Sequence, residues 1–211
     1  MKRCFIFAAG TYYGLRERPQ TGDLVLAADA GYLACRQAGI TPDVMCLSKG
    51  LTGGYMPMSL TVTNQEIYDA FYDDYGKHKA FLHSHTYAGN PLGCAAAHGV
   101  LDVLEQDSIL PRARKTAQWL TEEMEVRFGN HPLVGEIRHI GLIHALELVA
   151  DKKTKAPFPA EKRLGYQFYR KALERGLVLR PLGDVLYFNP PLTITRGELT
   201  QAMDILEQVL A

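Results

Sequence analysis

Residues 46 to 57 read Cys-Leu-Ser-Lys-Gly-Leu-Thr-Gly-Gly-Tyr-Met-Pro. The apolar run Val44 to Leu47 just before the lysine has the length and composition of a short buried strand. Gly50, Gly53 and Gly54 follow Lys49 closely, so the backbone there can turn sharply and let a bulky group approach. An amine at a strand end, beside open backbone, is what an enzyme needs to hold a carbonyl compound covalently on lysine. A strand leaving for solvent through a Lys-Gly turn would read the same way, so the rest of the chain has to decide.

With 211 residues the chain can bury a substantial core, as one large domain or two small ones. Its 23 basic and 23 acidic residues balance, and basic and aromatic residues do not interleave in a patch, which argues against a nucleic-acid partner. No apolar run reaches the length that spans a bilayer, and the N-terminal residues lack a signal-peptide layout, so no membrane partner is expected. Cys4, Cys35, Cys46 and Cys94 show no paired spacing. They read as small buried hydrophobes in a cytoplasmic protein, without a zinc site or a disulfide framework.

The periodicity predicts strands over 3–9, 24–28, 43–47 and 58–63, with a helix over 30–38 closed by Gly39. Asn64 is placed to cap a following helix, and Pro91 to open a long small-residue helix. A second long helix runs from about Ser108 to Phe128, with Leu110, Ala113, Ala117, Leu120 and Met124 at helical spacing. After the break at 129–132 come β-rich runs over 134–140 and 142–149, hinged at Gly141. A helix over 161–175, strands around 177–180 and 185–188, and a final helix over 196–210 complete the chain. The composition changes near 130, and this sets a boundary between an α/β part and a smaller α+β part.

The second informative stretch, residues 83 to 97, reads His-Ser-His-Thr-Tyr-Ala-Gly-Asn-Pro-Leu-Gly-Cys-Ala-Ala-Ala. Together with the lysine loop and with Arg-Pro-Leu-Gly-Asp-Val-Leu-Tyr at 180 to 187, it resembles the class III aminotransferases that use pyridoxal phosphate. The resemblance runs from about Ala38 to Ala211 and is strongest to the branch working in biotin synthesis; ornithine-type and ω-amino acid transaminases are close relatives. It implies part of a fold-type I α/β architecture: the end of the large cofactor domain over 45–130 and the C-terminal small domain over 131–211. It also implies small-molecule substrates, a homodimer, and transfer of an amino group from S-adenosylmethionine to 8-amino-7-oxononanoate.

The same resemblance makes Lys49 the Schiff-base lysine, first nucleophile and then general acid/base, a double duty that suits an amine in a partly desolvated site. The other lysines, such as Lys77, Lys79, Lys152, Lys153 and Lys155, sit in polar runs typical of solvated surface. Thr86 matches a threonine that binds the cofactor phosphate of the neighbouring subunit, and a hydroxyl at a helix entry suits a dianion. Arg180 matches an arginine that holds a substrate carboxylate, a task for its planar fork. Tyr187 matches a substrate-site tyrosine. Gly54 lines the lysine loop on the substrate side, with Tyr55 packing beside it. His83 and His85 stand at His-x-His spacing, but without nearby carboxylate or thiol ligands they read as loop histidines and not as a metal site.

Residues 1 to 44 do not fit the same pattern. The resemblance implies an Asp-Glu-Val strand and a Gly-rich segment ahead of the lysine, and neither stands there. Cys-Phe-Ile-Phe-Ala-Ala-Gly, Gly-Asp-Leu-Val-Leu-Ala-Ala-Asp-Ala-Gly-Tyr and Gln-Ala-Gly-Ile-Thr-Pro-Asp-Val instead resemble the N-terminus of thiamine pyrophosphokinase. The chain thus reads as a chimera joined near 38–46, with a short α/β N-terminal segment. Its acidic metal-binding segment is absent, so kinase activity is not expected. Asp29 is the one carboxylate weighed as a partner for the cofactor ring nitrogen, against a helix-capping role. The missing half leaves a second reading open, that of a non-catalytic interaction protein, and the N-terminal resemblance a third, nucleotide binding like that of thiamine pyrophosphokinase.

Overall fold

The computed structural model describes residues 3–8, 14–28, 31–83 and 85–211. The chain divides into two compact units, Met1–Asp102 and Val103–Ala211.

The first unit is built on one four-stranded sheet in the order β1-β2-β3-β4, comprising Cys4–Phe7, Leu24–Ala28, Val44–Leu47 and Leu60–Thr63. The first three strands are parallel and β4 runs antiparallel to β3, with Val44 opposite Thr63 and Leu47 opposite Leu60. Parallel neighbours need a crossover, and helix α1 (Gly31–Gln37) supplies it between β2 and β3. Gly31 has no room for a side chain, because a Cβ there would lie 2.0 Å from the Phe7 carbonyl oxygen. The small core of this unit gathers Phe7, Val25, Ala27 and Cys35. Helix α2 (Gln65–Phe71) follows β4, and α3 (Pro91–Gln106) opens at the expected proline.

Asp43 and Asn64 tie these elements together. Asp43 accepts from the Val25 N–H at 2.8 Å through one carboxylate oxygen and from the Asn64 side-chain amide at 2.9 Å through the other. Asn64 in turn accepts from the Ile67 N–H at 3.0 Å, which caps α2 as its sequence position suggested.

The second unit carries an antiparallel sheet in the order β5-β6-β8-β7, comprising Val134–Ile140, Ile143–Leu148, Val185–Phe188 and Arg180–Leu182. Helices α4 (Ile109–Phe128), α5 (Leu164–Leu173) and α6 (Arg196–Leu210) contribute to one core with it. Leu120, Met124 and Phe128 recur at four-residue spacing on α4, and Leu199, Met203, Leu206 and Leu210 form the matching stripe of α6. Arg127 on α4 bonds Glu123 of its own helix at 3.3 Å and Asp204 of α6 at 2.6 Å. Thr195 and Glu198 form a reciprocal capping box at the start of α6.

Several expectations change. Strands β1 and β2 of the N-terminal segment pair directly into the sheet of β3 and β4. The main division falls within α3 and not near 130, because α4 belongs to the core of the second unit. Strand β3 is half-buried, with Cys46 exposed, and every residue of β4 is exposed. Of the four cysteines only Cys35 is buried; Cys4 and Cys46 are exposed and Cys94 is intermediate. The helix expected over 161–175 is shorter, because Arg163 turns left-handed (φ 46°) between a 3-10 turn at Ala160–Lys162 and α5. The strand expected around 177–180 lies at Arg180–Leu182 and includes Pro181. It is an edge strand, where a missing N–H is tolerated. Among the described residues no helix is long and apolar enough to cross a membrane.

His144 on β6 is fully buried. Its Nδ1 lies 3.3 Å from the Leu142 carbonyl and its Nε2 2.9 Å from the Thr121 hydroxyl oxygen, which itself donates to the Ala117 carbonyl at 3.0 Å. His139, opposite it on β5, stacks on it with centroids 5.1 Å apart. Burial, with His139 nearby, holds the His144 pKa below the ordinary histidine value. Burial and then Lys152 do the same for His131. Unfolded histidine binds its proton near pH 6.5, about the reference value. As pH falls through that value the unfolded chain takes up protons before the folded one does, so stability is full above it and declines below it. Urea denaturation at pH 5.5, 6.5 and 7.5 is expected to show this decline, with a smaller slope in His144→Phe, where only His131 remains; equal slopes would contradict the assignment.

Candidate active site

Strand β3 delivers the chain to Ser48, and a 3-10 turn over Lys49–Thr52 follows. The Leu51 N–H donates to the Ser48 carbonyl at 2.8 Å and closes the turn. Thr52 is fully buried, and its hydroxyl donates to the Met56 carbonyl at 2.6 Å, which holds the returning loop. Gly53 and Gly54 take left-handed conformations (φ 59° and 83°) and reverse the chain toward β4. A Cβ on Gly53 would approach Val100 of α3 to 3.1 Å, so the reversal also sits tightly against that helix. Lys49 is thus fixed at its backbone while its side chain is exposed. Among the described residues it takes part in no ion pair.

The second wall is the loop ahead of α3. The Ala88 N–H donates to the His85 carbonyl at 2.8 Å, and the Asn90 N–H to the Tyr87 carbonyl at 3.2 Å. Gly89 is left-handed (φ 70°), and the Asn90 side chain accepts from the Leu92 N–H at 3.0 Å at the helix entry. Within the first unit, the lysine turn and this loop line one cavity of about 1020 Å³, with Lys49, Gly54, His83, His85, Tyr87 and Asn90 on its walls. That is at the upper end of small-molecule sites, about 300–1,000 Å³.

Lys49 and Gly54 both line this cavity. Thr86 lies in the same loop but is exposed and does not line the cavity. Tyr55 is 85% exposed, and one edge of its ring lies beside Gly53 of the lysine turn, 3.7 Å from where a Cβ there would stand. Arg180 and Tyr187, both of the second unit, are direct cross-strand partners on β7 and β8, so their side chains share a face. Arg180 is exposed and Tyr187 half-buried. The cavity also includes Ser59 and Thr61, which sequence reasoning missed. Their spacing of two, leading into and along β4, puts both on one face, and that alternation was the available signal.

The lining offers an amine for an aldehyde, with hydroxyls, imidazoles and an amide suited to a phosphate. Gly54 and Gly89 both face open space, since a Cβ at either would meet nothing within 4 Å. These donors fit the aldehyde and phosphate ends of pyridoxal phosphate. No carboxylate is among the lining residues to pair with its ring nitrogen; Asp29 lies outside the described residues. Among the described residues no group of three or more His, Cys, Asp or Glu side chains could hold a metal ion.

The family model described as aminotransferase class-III matches residues 20–210, starting well ahead of Ala38, where the motif resemblance began. Adenosylmethionine-8-amino-7-oxononanoate aminotransferase of Geobacter sulfurreducens is 41% identical over 208 residues, covering 94% of this chain and 46% of the relative. The protein of that name from Aquifex aeolicus is 37% identical over 210 residues, covering 95% and 46%. The crystal structure of the Methanocaldococcus jannaschii aminotransferase of the same name is similar with a TM-score of 0.80 and 32% identity, covering 89% of this chain and 45% of that one. A PLP-bound amine transaminase from an uncultivated Pseudomonas species is similar with a TM-score of 0.79 and 35% identity, covering 90% and 44%. The chain thus spans about half the length of the relatives it matches, and its α/β architecture is that of part of a PLP-dependent transaminase. With nearly its whole length matched, and with a lysine turn and a polar loop sharing one cavity, the chain belongs to the class-III aminotransferase family.

Proposed function

We propose that this chain carries the lysine-bearing part of a pyridoxal-phosphate aminotransferase of biotin synthesis, which moves an amino group from S-adenosylmethionine to 8-amino-7-oxononanoate. The observation that carries the reading is the cavity that joins Lys49 to the His83–Asn90 loop, in a chain 41% identical to an enzyme of that name. Residues 1–44 are read as part of the same protein, since β1 and β2 hydrogen-bond into the lysine-bearing sheet and the family match begins at residue 20. The motif likeness of that segment to thiamine pyrophosphokinase then carries no separate nucleotide site.

Bound in the cavity, the cofactor supplies an aldehyde and an electron-poor ring that can take up the electron pair left on a deprotonated substrate carbon. Lys49 Nζ is the group to hold the aldehyde and, when free, to carry the proton at the amine-bearing carbon of the donor. Thr86, with the neighbouring loop amides, is assigned to the phosphate. Gly54 keeps its side of the cavity clear for the substrate chain. Arg180 offers two parallel N–H donors to a substrate carboxylate, with Tyr187 opposite it across the strands.

A second copy of the chain suits the exposed face around the cavity, where Tyr55 (85%), Leu82 (89%) and Tyr87 (71%) lie open to solvent. The cytoplasm suits the four free cysteines. Among the described residues no carboxylate lines the cavity, which favours one alternative, an interaction protein of the same fold without turnover.

Absorbance spectroscopy decides between them. Protein incubated with pyridoxal phosphate is expected to develop a visible band that Lys49→Ala abolishes and that S-adenosylmethionine bleaches. A band that persists in Lys49→Ala contradicts the lysine assignment, and a band insensitive to the donor favours the non-catalytic reading. Steady-state kinetics test the acceptor side. Arg180→Ala is expected to raise KM for the keto acid by about 10- to 100-fold, the loss of roughly 1.5–3 kcal/mol from charged hydrogen bonds, with a smaller change in kcat. An unchanged KM would remove Arg180 from the site.

A further inference from the structure

We propose that the cavity between α4 and the β5–β6 hairpin of the second unit binds a small zwitterion, with a carboxylate and an ammonium group at opposite ends of a short apolar chain. The cavity holds about 390 Å³, within the range of small-molecule sites, roughly 300–1,000 Å³. A stripe of α4 from Arg114 to Glu122 forms one wall, and His139 and Gly141 of the hairpin form the other. Small groups line its middle. Ala117 is buried in a cluster with Leu142 of the hairpin. Gly141 is left-handed at the hairpin turn (φ 55°), and a Cβ there would meet nothing within 4 Å.

The two charges of the α4 wall are unmatched. Side chains three or four positions apart on a helix are neighbours. Arg114 has Leu110, Pro111, Ala117 and Gln118 at those positions, and Glu122 has Gln118, Trp119, Glu125 and Val126, so neither meets an opposite charge on α4. Among the described residues neither takes part in an ion pair or a side-chain hydrogen bond. Arg127, further along the same helix, meets Glu123, Asp204 and Glu207 at 3.3, 2.6 and 3.5 Å. Between positions 114 and 122 the helix rises on the order of 12 Å, and both side chains lean toward its N-terminus, so their charges stay apart. An anion alone would also meet Glu122, and a cation alone would also meet Arg114. A molecule with both charges, separated by several carbons, pairs with each and lays its chain over Ala117 and Gly141. The planar fork of Arg114 takes the carboxylate in two parallel bonds, and Glu122 takes the ammonium. His139 stacks on the buried His144 with centroids 5.1 Å apart, and among the described residues its ring nitrogens have no hydrogen-bond partner, so it reports on this cavity alone.

The site lies wholly in the second unit, so it does not depend on the aminotransferase reading. NMR titration of the full chain tests it, with the His139 ring signals, assigned through His139→Gln, as the local reporter. The probes are 6-aminohexanoate, hexanoate, which lacks the ammonium, and hexylamine, which lacks the carboxylate. The first is expected to shift His139 to saturation and to bind about fivefold tighter than either of the others, since each of those leaves one wall charge unpaired. Arg114→Gln and Glu122→Gln are each expected to weaken 6-aminohexanoate about fivefold, the upper range for an exposed ion pair, with hexylamine no weaker in the first and hexanoate no weaker in the second. Both side chains are exposed, so the variants are expected to fold, with thermal melting as the check. Lys49→Ala is expected to titrate as the unchanged protein does. No movement of His139, equal affinity for the three probes, or unchanged affinity in either variant would overturn the site and leave the aminotransferase reading in place, because that reading stands on the Lys49-dependent absorbance band.

Discussion

The antiparallel pairing of β3 with β4 fixes where Lys49 can stand. Leu47 must face Leu60, so the twelve residues between them have to leave the sheet, turn and come back within one loop. Two left-handed glycines make the reversal, and the buried Thr52 hydroxyl holds its return through Met56. At the other end of the pair, Asp43 and Asn64 lock β3 to β2 and β4 to α2. Asp43 is half-buried and Asn64 exposed, so each of these bonds contributes about 0.5–1.5 kcal/mol to the register. Lys49 therefore stands at a defined strand end with a free side chain, in a loop that closes one side of a cavity.

The second unit uses a different device for a similar end. Its sheet places Arg180 opposite Tyr187, and Pro181 beside them confines that strand to the edge. Arg180 is exposed on this edge strand, while its neighbour β8 buries Leu186 and Phe188 in the core. Helix α5 is seated on the turn between these strands, where a Cβ on Gly165 would lie 2.1 Å from the Gly183 carbonyl oxygen. Packing and chemistry thus share the same few residues.

Much of this was legible in the sequence because it rests on local rules. Asn64 before a helical pattern and Pro91 at a helix start act through backbone groups within a few residues, and both hold in the structure. The lysine turn was legible because glycine spacing reports backbone conformation directly. Burial was less legible. The run Val44 to Leu47 is apolar enough for a core strand, yet in this chain it is only half covered, because burial depends on what packs above a strand. The place of residues 1–44 was missed for a related reason. Pairing of β1 and β2 with β3 is a long-range event, and the motif likeness of that stretch pointed elsewhere.

The structure thus offers one lysine set apart from the others by its surroundings. Lys77, Lys79 and Lys153 share its exposure and its charge, but among the described residues only Lys49 sits at a glycine turn on the wall of a cavity that hydroxyls and imidazoles also line. Borohydride reduction of the protein incubated with pyridoxal phosphate, followed by peptide mass mapping, reads that distinction directly. The label should be confined to the peptide containing Lys49. Labelling spread over Lys77, Lys79 and Lys153 to the same extent would contradict it.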